Sequence, residues 1–128
     1  MKKILIVDDE EDILEYLTTL FEDNGYATIA ARDGVEGFDL VKREKPDLVT
    51  LDIIMPRESG VRFYRQVKED AELKNIPIII ITALTGYGYD PEGFHKFIKA
   101  SKKVPQPEGF VAKPVDRDEL LKLVKQHI

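Results

Sequence analysis

The chain contains no cysteine, which excludes a disulfide framework and thiolate metal sites while leaving the compartment open. Long apolar runs are missing as well. The longest, Ile76 to Ala83, is broken by Pro77 and Thr82 and falls far short of the ~20 residues that cross a bilayer, so no contact with a membrane is expected. There is no basic excess either. Lys and Arg number 19 against 24 Asp and Glu, a net charge of −5 with a pI near 5.1, which argues against direct binding of nucleic acid through a broad basic face. Histidine is scarce, and neither His95 nor His127 has a partner at ligand spacing, so zinc is disfavoured and both are expected at the surface. Met1-Lys2-Lys3 leads straight into strand-like residues, without an apolar h-region or a small-residue cleavage site; no secretion signal is read, and the expectation is cytoplasmic. No repeat, low-complexity tract or Gly/Ser linker divides the 128 residues, which are read as one domain, 1–128.

What is present is an alternation of apolar strand-like runs with helix-period segments, the pattern of a parallel sheet covered by helices on both faces. Strands are predicted at 3–7, 26–30, 47–52, 77–82 and 109–112, most of them continuously apolar, as strands buried on both faces should be. Helical spacing links Ile13, Leu17, Leu20 and Phe21; Val35, Phe38 and Val41; Phe63, Tyr64 and Val67; and Leu120, Leu121, Val124 and Ile128. Asp33 with Glu36, and Asp116 with Glu119, read as carboxylate variants of a capping box. The segment 85–109 is less regular. A helix start at Asp90-Pro91 predicts a short helix inside long loops there. Its aromatic residues Tyr87, Tyr89, Phe94 and Phe97 make it the expected variable, partner-facing surface, although for Phe94 and Phe97 covering the sheet is the better explanation.

Two apolar runs finish in carboxylate: Ile4-Leu5-Ile6-Val7 in Asp8-Asp9, and Leu48-Val49-Thr50-Leu51 in Asp52. In an open α/β sheet, ligands bind beyond the carboxyl ends of the strands, so the three acids converge on one pocket suited to a hard divalent cation. Close carboxylates repel, and Mg²⁺ resolves that conflict. Glu10, Glu11 and Asp12 are better explained as an acidic first turn that favours the helix dipole. Thr82 and Lys113 end the fourth and fifth strands, adding a hydroxyl and an ammonium to the same edge. Such a set suits phosphoryl transfer onto a carboxylate: metal and Lys113 neutralise phosphoryl oxygens, the hydroxyl donates a hydrogen bond, and one aspartate attacks. Asp52, alone on its strand, is the expected nucleophile.

Over essentially its whole length the chain resembles a response-regulator receiver domain of two-component signalling. The resemblance is carried by Ile6-Val7-Asp8-Asp9-Glu10, by Leu51-Asp52-Ile53-Ile54-Met55-Pro56 followed by Ser59-Gly60, by Ile81-Thr82-Ala83 and by Lys113-Pro114. It implies a doubly wound, flavodoxin-like five-stranded parallel sheet of order 2-1-3-4-5, with helices on both faces. It further implies that Asp8, Asp9, Asp52 and the Ile54 main-chain carbonyl hold Mg²⁺, that Asp52 accepts phosphate, and that Lys113 contacts the phosphoryl group. Thr82 would be the switch hydroxyl and Phe110 the aromatic switch, with a cis bond between Lys113 and Pro114. The implied partners are a histidine kinase or histidine phosphotransfer protein and a downstream protein engaged through 83–112, with a phosphorylation-dependent homodimer left open. The interval from Thr82 to Lys113 exceeds the usual receiver spacing by about two helical turns. Phe110 lacks a phenolic hydroxyl, and a plain core aromatic accounts for it equally well.

Other functions on the same fold fit less well. A phosphatase of the haloacid dehalogenase type needs an acid two residues after its nucleophile, where this chain has Ile54, which cannot protonate a leaving group. A flavodoxin-like carrier of FMN needs hydroxyls and free N–H groups where Asp8-Asp9-Glu10-Glu11 would repel phosphate. The remaining alternative is a degenerate receiver that serves only as an interaction module, yet the acidic and lysine set is complete. No enzymatic activity is expected beyond the chain's own phosphorylation and dephosphorylation. Ile54 and Leu84 are apolar where polar groups would orient an attacking water, so a long-lived phosphorylated state is expected.

Overall fold

A computed structural model describes residues 1–53, 55, 59–83 and 106–128, with Thr82 and Ala83 described by their backbone alone. Among these residues the elements run β1 (Lys3–Val7), α1 (Glu11–Asp23), β2 (Ala27–Ala31), α2 (Gly34–Glu44), β3 (Leu48–Leu51), α3 (Ser59–Glu69), β4 (Ile78–Ala83), β5 (Gly109–Lys113) and α4 (Arg117–His127). The five strands form one sheet in the order β2-β1-β3-β4-β5, every pairing parallel. The predicted doubly wound α/β fold is therefore the observed one. The short helix expected at Asp90-Pro91, the aromatic surface of 85–105, His95 and Leu84 lie outside the described residues.

Alternation along buried strands builds two cores. Ile4 and Ile6 face one side, with Leu14, Leu17 and Phe21 of α1 and Leu120 and Val124 of α4. Leu5 and Val7 face the other, with Val41 of α2 and Phe63, Tyr64 and Val67 of α3. Both faces are covered, so both side-chain sets must be apolar, which explains the unbroken hydrophobic runs. Strand ends differ from expectation by a residue or so. Tyr26 stays outside β2 because its N–H donates to Phe21 O and its ring meets Phe21 edge-on at 6.3 Å, fixing it to the turn made by Gly25, whose φ is +88°.

Helix α2 corrects one expectation. Val35, assigned to the apolar stripe, is 78% exposed; the buried positions are Gly34, Gly37 and Val41. Glycine carries no hydrophobic signal, yet here it defines the inward stripe by letting the helix come close. A Cβ on Gly37 would lie 3.1 Å from the Phe63 ring and 3.2 Å from Val7. Both aspartates cap their helices as read, while the reciprocal bond of the box is seen only in a shifted form, at α2. Asp33 accepts from Glu36 N–H, whereas the Glu36 carboxylate accepts from Arg32 N–H, one residue before the cap. Asp116 accepts from the N–H groups of Asp118 and Glu119.

Candidate functional site

Strand register determines which side chains can meet. Val7 of β1 sits between Ala31 of β2 and Leu51 of β3, so Asp8 and Asp52, each one residue further on, emerge side by side. Backbone bonds from Asp8 N–H to Ala31 O and from Asp52 N–H to Val7 O extend the sheet through both. Leu51 pairs with Ile80, and Thr82 and Ala83 of β4 pair with Ala112 and Lys113. The same strand edge thus carries Thr82 and Lys113. Lys113-Pro114 is a cis peptide, and Phe110 is half-buried against the core on the α2 and α3 side.

The acids converge. One carboxylate oxygen from each of Asp8, Asp9, Glu10 and Asp52 lies within 4.8 Å of the others. Asp8 and Asp52 are only 2% and 3% exposed, while Asp9 and Glu10 open to solvent. Lys113 Nζ spans the cluster, 3.1 Å from Asp8, 3.4 Å from Asp52 and 3.4 Å from Glu10. Burial pushes the Asp8 carboxyl above its usual range despite the Glu10 N–H and Lys113 beside it. For Lys113, burial opposes the charged form, but the Asp52 and Asp8 carboxylates outweigh it and hold its pKa above that of ordinary lysine. Hard oxygen donors crowded against one ammonium match the chemistry of a small divalent cation. Ile54 lies outside the described residues.

Glu10 is a correction. The sequence assigns it to the helix dipole, yet its carboxylate belongs to the acidic cluster; Glu11 and Asp12 do occupy the first turn of α1. The sequence signal is adjacency alone, because only the backbone turn after β1 decides which way Glu10 points. Glycine also shapes the site from beneath. A Cβ on Gly60 would stand 2.5 Å from the Asp52 carbonyl oxygen and 2.9 Å from Ile53 Cα, so α3 can press against the loop bearing Asp52 only because residue 60 is glycine. Beside it, the Gly34 N–H donates to the Ser59 hydroxyl, joining the starts of α2 and α3.

The opposite end of the sheet holds a charge pair that the sequence does not disclose. Lys68, 3% exposed, donates to Glu108 at 2.9 Å and to the Ile76 carbonyl at 3.2 Å. Glu108 in turn accepts from Ile78 N–H at 2.6 Å. This pair ties α3 to the starts of β4 and β5. Burial, with Glu108 nearby, pushes the Tyr64 hydroxyl up. His127 is exposed, as expected.

A five-stranded, doubly wound sheet whose acidic strand ends face a lysine on its last strand defines a class of α/β signalling domain. The chain belongs to the response regulator receiver family of two-component signalling: the model of the "Response regulator receiver domain" matches residues 4–125. Protein PilH of Pseudomonas aeruginosa is 36% identical over 124 residues, covering 97% of this chain and 95% of PilH. The polar-differentiation response regulator DivK of Brucella anthropi is 30% identical over 129 residues, covering 99% of this chain and 96% of DivK. Chemotaxis protein CheY4 of Vibrio cholerae superposes with a TM-score of 0.82 at 28% identity, covering 100% of this chain and 99% of that one. Among the described residues no helix is long and apolar enough to cross a membrane.

Proposed function

We propose that residues 1–128 form a phosphoacceptor receiver domain in which Asp52 takes a phosphoryl group from a phosphohistidine of a kinase or phosphotransfer protein. The observation that carries this reading is the Lys113 ammonium lying between the buried carboxylates of Asp8 and Asp52. In the reaction an Asp52 carboxylate oxygen forms a bond to phosphorus, the phosphorus–nitrogen bond of the donor breaks, and the imidazole keeps the electron pair. Lys113 offsets charge on the phosphoryl oxygens, and Thr82, one residue beyond the level of Asp52 on the neighbouring strand, supplies a hydroxyl donor. Mg²⁺ would be held by Asp8, Asp9 and Asp52 with the Ile54 carbonyl, and would supply charge neutralisation at the transferring group.

Thr82 and Phe110 are the proposed switch, and the 83–112 region is the proposed route to a downstream protein, in the cytoplasm. A homodimer formed on phosphorylation is compatible with this role. The chain would act on its own phosphoryl group only, forming and hydrolysing it. An interaction module without phosphorylation is disfavoured by the intact acidic and lysine set. The test is intact mass after incubation with Mg²⁺ and an acyl phosphate donor. One added phosphoryl group is expected on the wild type and none on Asp52→Asn; equal modification of both would rule out the assignment.

A further inference from the structure

Glu10 is the N-cap residue of α1, yet its side chain makes no capping hydrogen bond. Asp33 and Asp116, in the same position on α2 and α4, both accept N–H groups of their helices. Glutamate is one methylene longer than the aspartates that cap well, and the Glu10 carboxylate reaches past the first N–H groups of α1. Its partner is Lys113, with Oε1 3.4 Å from Nζ. The dipole of α1 already has Glu11 and Asp12 in its first turn.

The three carboxylates around Lys113 are not equivalent. Asp8 and Asp52 are buried, whereas the Glu10 side chain is 61% exposed and lies at the solvent side of the ammonium. A cation held by Asp8 and Asp52 would weaken their pull on Lys113 and repel it directly. Glu10 belongs to the acidic cluster but is not among the proposed Mg²⁺ ligands, and at the exposed side of Lys113 its charge would stay available to the ammonium. We propose that Glu10 is a positioning residue: its carboxylate anchors the Lys113 ammonium at the mouth of the pocket, so that Lys113 stays within reach of Asp52 once a cation has neutralised Asp8 and Asp52. The proposal rests on the phosphoacceptor reading of Asp52 and adds a residue whose role is exerted through Lys113.

The experiment is NMR of protein labelled with ¹⁵N-lysine, recorded with and without Mg²⁺, with Lys113 assigned from Lys113→Met. Glu11→Gln, which removes the exposed partner of Arg32, is the control. With Mg²⁺ the Lys113 ammonium should exchange its protons about two- to fivefold faster in Glu10→Gln than in wild type, the range of a partly exposed ion pair. Glu11→Gln should leave it unchanged. Phosphorylation by an acyl phosphate at saturating Mg²⁺ should slow by a similar factor in Glu10→Gln, with no further loss when that change is added to Lys113→Met. Unchanged exchange in Glu10→Gln, or a rate loss that persists undiminished in the Lys113→Met background, would overturn the proposal. Absence of phosphorylation in the wild type would instead overturn the phosphoacceptor reading, because ammonium exchange reports the Glu10 contact independently.

Discussion

Asp8→Asn should stabilise the metal-free protein and destabilise it, relative to wild type, when Mg²⁺ is present. Asp8 is 2% exposed and its nearest oxygen lies within 4.8 Å of that of buried Asp52, a repulsion of about 3.5 kcal/mol at an effective dielectric constant of ~20. Lys113 at 3.1 Å returns about 5 kcal/mol on the same scale, and it is shared with Asp52 and Glu10. Repulsion removes most of that attraction, and what remains, with the Glu10 N–H, does not offset a burial penalty of several kcal/mol for the ion, which is why burial raises the Asp8 pKa. Asparagine keeps an oxygen for the Glu10 N–H, which donates to Asp8 at 2.9 Å, and removes the charge. We expect a gain of about 1–2 kcal/mol, a rise in Tm of roughly 4–8 °C for a domain of this size.

The pH dependence has a definite sign. With the folded pKa of Asp8 raised above 3.8, the native state binds a proton that the unfolded state has lost. Wild-type stability therefore falls as pH rises from 3.8 through the folded value, and Asp8→Asn lacks that fall. Mg²⁺ at a hundredfold excess over its Kd adds about 2.7 kcal/mol to a protein that binds it, enough for wild type to overtake the mutant. Calorimetry of both proteins with and without Mg²⁺ measures the crossing. An Asp8→Asn protein less stable than wild type without metal, or equal stabilisation of both by Mg²⁺, would refute the reasoning.

Gly60→Ala should destabilise by about 2 kcal/mol or more, because its Cβ would meet backbone rather than a movable side chain; denaturant unfolding would show it, with the phosphorylation rate reduced as the Asp52 loop shifts. Thr50 has a buried hydroxyl without a hydrogen-bond partner among the described residues, so Thr50→Val should hold or raise stability by up to about 1 kcal/mol, and a clear loss in the same assay would contradict the orphan assignment. Lys68→Met should cost about 3 kcal/mol by leaving Glu108 charged in a part-buried position. Lys68→Met with Glu108→Gln should recover part of that loss, and no recovery would mean that the pair is not the cause.

Elements whose signal is a run of side chains are legible in the sequence. Five apolar strands, the Asp33 and Asp116 caps, and carboxylates at the ends of β1 and β3 follow from local pattern and from the placement of ligands at strand ends. Other features depend on approach between segments distant in sequence. Val35 fits a helical period as well as Gly37 does, and only packing against Phe63 decides that the glycine faces inward. Lys68 and Glu108 are 40 residues apart, so no local pattern pairs them; they meet because β4 and β5 begin beside the end of α3. Glu10 is indistinguishable from Glu11 until the turn after β1 directs it toward Lys113. Thr82 and Lys113 are assigned by motif, and register brings them to one edge.

Borohydride trapping identifies the residue that carries the phosphoryl group, proposed to be Asp52. Protein incubated with Mg²⁺ and an acyl phosphate donor is treated with borohydride, which reduces an aspartyl phosphate to homoserine, then digested and sequenced by mass spectrometry. Homoserine should appear at position 52, and should vanish when the donor or Mg²⁺ is left out. Homoserine at Asp8 or Asp9, or at no position in a protein that has gained the mass of a phosphoryl group, would contradict the account.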